Sequence, residues 1–284
     1  MPIVIEQLNH EYLAGSTLAF PALKDISLTI QEGEFLSVIG HTGSGKSTLM
    51  QHLNGLLLPT GGSVLVDGLN TRDKAQRIRA RRLVGMVFQY PEYQLFEETV
   101  AKDIAFGPKN LHLNDEEIDT RVKEAMELVG LDPAIFSEKS PFDLSGGEKR
   151  RTALAGIIAM RPKYLVLDEP MAGLDPRGRL EILDMMERLR EATGCTIVMV
   201  SHSMDDVARH ADRIAVLDHG ALVMVDTPQA VFSQADRLVS LGLNIPQVTQ
   251  LAQELKQSGL PVPDGIFRAE ELENWIVGRY HHGK

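Results

Sequence analysis

Gly40-His41-Thr42-Gly43-Ser44-Gly45-Lys46-Ser47-Thr48 is the stretch that decides how the rest of the chain is read. It fits Gly-x4-Gly-Lys-Ser/Thr, a pattern that binds phosphate when it lies between a strand and a helix. Both flanks comply. Phe35 to Ile39 is a short apolar run, as expected of a strand buried on both faces. Ser47 to Leu57 has helical spacing. The glycines let successive backbone N–H groups curl around an anion, and the helix N-terminus adds partial positive charge. Lys46 is placed to reach the β- and γ-phosphates, and the Ser47 hydroxyl to ligate Mg²⁺. An ordinary Gly-rich turn explains the glycines but not the flanks. The expected ligand is a nucleoside triphosphate.

Working outward, Tyr164-Leu165-Val166-Leu167-Asp168 reads as a second buried strand, with a carboxylate at its C-terminal end and Glu169 beside it. An acid at the end of such a strand can hold the Mg²⁺ shell, the role expected of Asp168. Glu169 is suited to accept a proton from an attacking water. The competing reading is a pair of acids capping the next helix. Further strands are expected at Ile3 to Ile5, Ile26 to Ile30, Ser63 to Val66, Leu83 to Phe88 and Cys195 to Val200, with a turn at Gly61-Gly62. Helical spacing marks Ile118 to Leu131, Gly146 to Met160, Leu180 to Glu191 and Val248 to Ser258. Strands alternating with helices predict an α/β fold with a mostly parallel sheet and ligands at the strand C-termini. After about residue 235 strand signals stop, which places a domain boundary there and a helical extension over 236–284.

Leu144-Ser145-Gly146-Gly147-Glu148, followed by Lys149-Arg150-Arg151, opens another helix with an anion-friendly N-terminus. Two phosphate-seeking helix ends are odd for one nucleotide, unless two chains face each other and each completes the other's site. A plain helix-start loop is the competing reading. Composition narrows the function. The 284 residues carry 29 Lys+Arg against 39 Asp+Glu, a formal charge of −10. That balance argues against coating nucleic acid, which relies on Lys and Arg to release counterions. One cysteine, Cys195, excludes a disulfide framework and a multi-cysteine zinc site. No run approaches the roughly 18 apolar residues that span a bilayer, and the start lacks a signal-peptide pattern. The expectation is a cytosolic chain that meets a membrane through a partner.

Taken together, these motifs resemble the nucleotide-binding subunit of ABC (ATP-binding cassette) proteins, over about residues 1–235. Gly40 to Thr48 is similar to the Walker A loop, Leu165 to Glu169 to Walker B with its catalytic glutamate, and Leu144 to Glu148 to the signature motif. Gln89 resembles the Q-loop glutamine, Gly173-Leu174-Asp175 the D-loop, and His202 the switch histidine. Tyr12 is similar to the aromatic that stacks on adenine. Glu148 departs from the Gln frequent at its position. The resemblance implies a P-loop NTPase core with a RecA-like mostly parallel sheet, an antiparallel β subdomain and a helical subdomain at about 91–160. It implies ATP and Mg²⁺ as cofactors, the metal held by Ser47, Gln89 and Asp168. It also implies that Ser145, Gly146, Gly147 and Glu148 cover ATP bound to the facing chain.

Within that family, Ile39 to Thr42, Gln51 to Leu56, Phe88 to Phe96 and the tail from Leu241 to Pro246 resemble the ATPase subunits of energy-coupling-factor importers of vitamins and other micronutrients. The implied partners are a second ATPase subunit (a paralogue or a copy of this chain), a transmembrane T-component and a substrate-binding S-component. The implied location is peripheral, on the cytoplasmic face of the membrane. Gln89 to Thr99 is then expected to receive basic coupling helices, with Glu92, Glu97 and Glu98 as acidic acceptors. Leu251 and Leu255, on one helical face of the extension, are expected to contribute to an interface between ATPase chains. Other readings are an ABC importer of cobalt, nickel or amino acids, or a soluble ABC ATPase acting on nucleic acid or ribosomes. The second is disfavoured by the acidity and by the lack of a long heptad insert between Lys46 and Asp168.

Overall fold

The computed structural model describes residues 1–281. The chain opens with β1 (Ile3–Tyr12), β2 (Phe20–Ile30) and β3 (Phe35–Ile39), then α1 (Lys46–Leu53), β4 (Gly61–Val66), β5 (Leu69–Asn70), α2 (Lys74–Leu83) and β6 (Val84–Val87). A helical stretch follows: α3 (Val100–Asn110), α4 (Asp115–Leu128), α5 (Pro133–Phe136) and α6 (Gly146–Ile158). Next come β7 (Tyr164–Asp168), α7 (Pro176–Thr193), β8 (Thr196–Val200), α8 (Met204–His210), β9 (Arg213–Asp218) and β10 (Ala221–Asp226). The extension holds α9 (Pro228–Phe232), α10 (Ala235–Ser240), α11 (Gln247–Gln257) and α12 (Ala269–His281).

The central sheet has the order β10-β9-β3-β8-β7-β6 and is parallel except for β10. Its inner strands are apolar throughout because both faces are covered. Side chains alternate across the pleat. Tyr164 and Val166 of β7 join one core with α1 (Leu49, Met50, Leu53), while Leu165 and Leu167 join another with α3, α4, α6 and α7. The smaller sheet, β2-β1-β4-β5, is antiparallel and closes over the far side of α1. The phosphate-loop helix is therefore clamped between two sheets, and its first turn points at the ends of β3, β7 and β8.

Several boundaries differ from the sequence expectation for local reasons. The first helix stops at Leu53, because Asn54 caps it and Gly55 turns left-handed at φ 68°. Gly61-Gly62 is the start of β4 rather than a turn. A Cβ on Gly62 would lie 2.1 Å from the Gln7 carbonyl of the neighbouring strand, so only glycine fits that approach. Cys195 stands just before β8, buried and donating its thiol toward the Pro162 carbonyl. In the extension, Ile245 and Phe267 join a core with α8, β9, α9 and α10, while Leu255 packs with Val262, Ile266 and Trp275. Leu251 and Leu255 therefore do not share one exposed face: Leu255 is turned inward, and Leu251 remains exposed. No described helix is long and apolar enough to cross a membrane.

Candidate nucleotide site

The loop between β3 and α1 is shaped by its own backbone. Ser44 N–H donates to the His41 carbonyl (3.1 Å), and Gly220 N–H donates to the Ser44 carbonyl (3.1 Å). Gly40 is obligatory, because a Cβ there would lie 2.4 Å from both the Leu217 carbonyl and Ser44 Oγ. Most helices here are capped by a side chain, such as Asp73 on α2, Thr99 on α3 and Asn114 on α4. The cap of α1 is Gly45, with no side-chain hydrogen bond, so its first-turn N–H groups remain available to an anion.

Lys46 lies inside this loop, buried, donating to the carbonyls of Gly40 (2.7 Å) and His41 (2.9 Å). Burial pushes its pKa down, while the nearby Glu169 and Asp168 push it up. Asp168, at the end of β7, is also buried. Desolvation pulls its pKa up against the Ser47 hydroxyl beside it, and Oδ1 has no hydrogen-bond partner among the described residues. A buried carboxylate oxygen without a partner is costly unless something completes it. Ser47, Asp168 and Gln89 are hard oxygen donors, so the residues present fit a Mg²⁺ ion.

Glu169 follows in a left-handed backbone conformation at φ 52°, which bends its carboxylate out of the strand direction. Its Oε1 meets His202 Nε2 at 2.8 Å, and its Oε2 accepts from Gln89 Nε2 at 3.4 Å. Three strand ends, those of β6, β7 and β8, thus converge on one carboxylate. Glu169 and His202 form part of the wall of a cleft of about 240 Å³ that also includes Tyr12, Phe20, Thr42, Gly43 and Lys46 to Thr48. They border a second cleft of about 230 Å³ lined by Met171 to Leu174, Arg179 and Ser201 to Ser203.

Tyr12 stands at the cleft mouth, its hydroxyl 3.1 Å from Thr48 Oγ1 and its ring edge-on to His10. Phe20, 61% exposed, shares that cleft and was not singled out by sequence. It begins a strand whose pairing with β1, Tyr12 opposite Phe20, is what brings the two aromatics together.

Ser145 to Glu148 are not among the residues lining the Lys46 cleft. Ser145 caps α6 in a reciprocal box: Glu148 N–H donates to its Oγ (3.4 Å), and Ser145 N–H donates to the Glu148 carboxylate (2.7 Å). Those bonds from Ser145 hold the Glu148 pKa below the usual carboxylate range. A glutamine would close the same box, so the Glu148 departure is accommodated. Asp175 caps α7 by accepting from Gly178 N–H at 2.7 Å.

Nothing in the run Lys149-Arg150-Arg151 sets Arg150 apart by sequence. It is buried on α6 and forks onto Glu92 (3.0 and 2.8 Å) while donating to the carbonyls of Pro170 (3.2 Å) and Ala172 (2.8 Å). This joins the signature helix, the segment after Gln89 and the loop after Glu169. Glu92 is therefore already engaged and is not a free acidic acceptor. Glu97 and Glu98 are placed differently. Glu98 is 82% exposed and, among the described residues, pairs with Lys102 alone; Tyr93 and Phe96, near it in sequence, are exposed too.

Residues 23–172 match the ABC transporter family model. The chain belongs to the ABC transporter ATP-binding family. It is 51% identical over 284 residues, covering 100% of this chain and 99% of its relative, to the energy-coupling factor transporter ATP-binding protein EcfA2 of Caldanaerobacter subterraneus subsp. tengcongensis. It is 54% identical over 278 residues to EcfA2 of Clostridium perfringens, covering 98% of each. Among solved structures, cbiO1 of Clostridium perfringens, described as part of the ABC transporter complex cbiONQ, is 35% identical. It superposes with a TM-score of 0.75 over 88% of this chain and 98% of its own. The ATP-binding cassette MJ0796, a dimer bound to ADP and Pi after hydrolysis, is 29% identical with a TM-score of 0.70, covering 80% and 98%. This ABC protein is thus an ATP-binding ATPase of the energy-coupling factor class, its hydrolysis coupled to transport.

Proposed function

We propose that the chain energises uptake of a vitamin or other micronutrient by hydrolysing ATP at an interface between two ATPase subunits. A T-component spans the membrane and an S-component holds the cargo. The observation that carries the catalytic part is the Glu169 carboxylate held between Gln89 and His202, beside the unpartnered Asp168 oxygen and the buried Lys46. The near-complete match in length and about 50% identity to energy-coupling factor ATPases, against 35% to cbiO1 of the cbiONQ complex, favour the energy-coupling factor class.

In this reading the loop Gly40 to Thr48 wraps the phosphates and Tyr12 packs on the adenine. Lys46 leaves its two carbonyls for a phosphate oxygen. Ser47, Asp168 and Gln89 would hold Mg²⁺, whose chemistry is to neutralise charge on the β- and γ-phosphates. Ser145, Gly146, Gly147 and Glu148 of the facing subunit cover the γ-phosphate and exclude water. Asp175 lies at the same interface. Glu169 orients the attacking water and takes its proton on a carboxylate oxygen, while His202 fixes that carboxylate through Nε2. Gln89 to Thr99, with Glu97, Glu98 and the exposed aromatics, docks the T-component on the cytoplasmic face of the membrane. The ATPase domain covers 1–235 with its helical part at about 91–160, and 236–284 contributes to ATPase–ATPase contact through exposed Leu251.

Glu169→Gln tests the reading. The variant should bind ATP as the parent does, lose about 10²-fold or more in turnover, and persist as a closed ATP-bound dimer. Normal hydrolysis in that variant would overturn the assignment of the base.

A further inference from the structure

The parallel pairing of β3 with β9 sets Ile39 opposite Val216. Two residues beyond that pair, His41 of the phosphate loop and Asp218, the last residue of β9, come side by side, and His219 follows in the β9–β10 turn. His41 Nε2 lies 3.0 Å from Asp218 Oδ1, and His219 Nε2 lies 3.8 Å from the same oxygen. The two imidazole rings are 4.7 Å apart between centroids. One donor atom from each of the three residues falls within a sphere of contacts no wider than 4.8 Å.

The hydrogen bonds of His41 make this more than a cluster. His41 Nδ1 is 2.8 Å from the Thr42 carbonyl. A carbonyl only accepts, so Nδ1 must carry a proton. Nε2 then aims at a carboxylate, which also only accepts. The 3.0 Å contact is closed either by a second proton, which makes His41 an imidazolium, or by a metal ion that takes that proton's place on Nε2. An N–H donated to a backbone carbonyl is also how a metal-binding imidazole is commonly fixed in its tautomer.

We propose that His41, Asp218 and His219 form a site for a divalent transition-metal ion of the zinc class, separate from the Mg²⁺ position at Ser47 and Asp168. Two imidazoles and one carboxylate are the donor set of a three-ligand zinc site with an open fourth position. With metal–donor bonds of about 2.0–2.1 Å, tetrahedral geometry spaces the donors by about 3.4 Å. The two edges to Asp218 Oδ1, 3.0 and 3.8 Å, bracket that spacing, and the edge between the two imidazole donors lies within 4.8 Å. Imidazole donors select against Mg²⁺ and Ca²⁺, which take oxygen. His219, 78% exposed, is free to swing the remaining distance. A bound ion would tie the phosphate loop to the β9–β10 turn, reinforcing the Gly220-to-Ser44 backbone bond already there.

The test is a Zn²⁺ titration of the full chain against a chromophoric chelator in excess Mg²⁺, with Co²⁺ as a second probe read by its visible absorption. His281 and His282 are changed to Ala in every sample, so that adjacent imidazoles at the C-terminus do not compete. His219→Asn removes one ligand while suiting the left-handed backbone at that position, φ 46°. Expected are one Zn²⁺ per chain, a tetrahedral Co²⁺ spectrum, and at least tenfold weaker binding in His219→Asn and in Asp218→Asn. ATP turnover of His219→Asn without added transition metal should equal that of its background. No zinc bound in excess Mg²⁺, or equal affinity in the two variants and their background, would overturn the proposal.

Discussion

Replacing Arg150 by methionine keeps the length of the side chain and removes its charge and five donors. Four hydrogen bonds disappear: two to the Glu92 carboxylate and one each to the Pro170 and Ala172 carbonyls. The Arg150 side chain is 4% exposed and that of Glu92 17%, so water has little access to what is left behind. A buried carboxylate stripped of its partner costs about 3–5 kcal/mol, and we expect about 4 kcal/mol here. For 284 residues the unfolding entropy is about 0.6 kcal/mol/K, so the melting temperature should fall by about 7 °C. Arg150→Lys retains charge but not the fork and should lose about half as much. Urea unfolding of Arg150→Met, Glu92→Gln and the double variant gives the coupling between the partners, expected at about 1.5 kcal/mol or more. Because Arg150 holds the loop following Glu169 and the segment following Gln89, Arg150→Met should lower kcat more than ATP affinity. A stability within 1 kcal/mol of the parent, with zero coupling to Glu92, would refute the reasoning.

Other perturbations follow from single sites. Burial pushes the His52 pKa down to about 4, against the Thr48 carbonyl that accepts from its ring. The unfolded chain binds that proton near pH 6.5 and the folded chain does not, so stability is complete above pH 6.5. It should fall by about 1.4 kcal/mol per unit toward pH 4, about 3 kcal/mol in all. His52→Leu should remove that slope in urea titrations across the window, and an unchanged slope would discard the assignment. Gly40→Ala forces a Cβ onto the Leu217 carbonyl and should cost about 3 kcal/mol and most nucleotide binding. Gly43→Ala meets no atom within 4 Å and should cost only about 1–2 kcal/mol of left-handed strain; equal losses in the two would undo the packing argument. Leu251→Asp should weaken association between ATPase chains in sedimentation without lowering the melting temperature, and unaltered association would remove the extension from that interface.

The parts of the molecule that depend on neighbours along the chain are legible in the amino-acid order. The phosphate loop is legible because its glycines, lysine and flanking apolar run act within a few residues of one another. The β7 strand and its two terminal acids are legible because a segment buried on both faces has to be apolar until the chain emerges. The helix end at Leu53 and the opening of β4 at Gly61 were displaced, since a cap and the approach of a second strand set them. The tertiary structure alone decided which distant residues meet. Glu169 faces Gln89 across 80 positions, Arg150 grips Glu92 across 58, and His41 meets Asp218 across 177. These contacts are fixed by the register of parallel strands and by the packing of α6 against the strand ends. Neither leaves a periodic trace in the amino-acid order, because each needs a single residue at each end and the sheet between them to bring the two together.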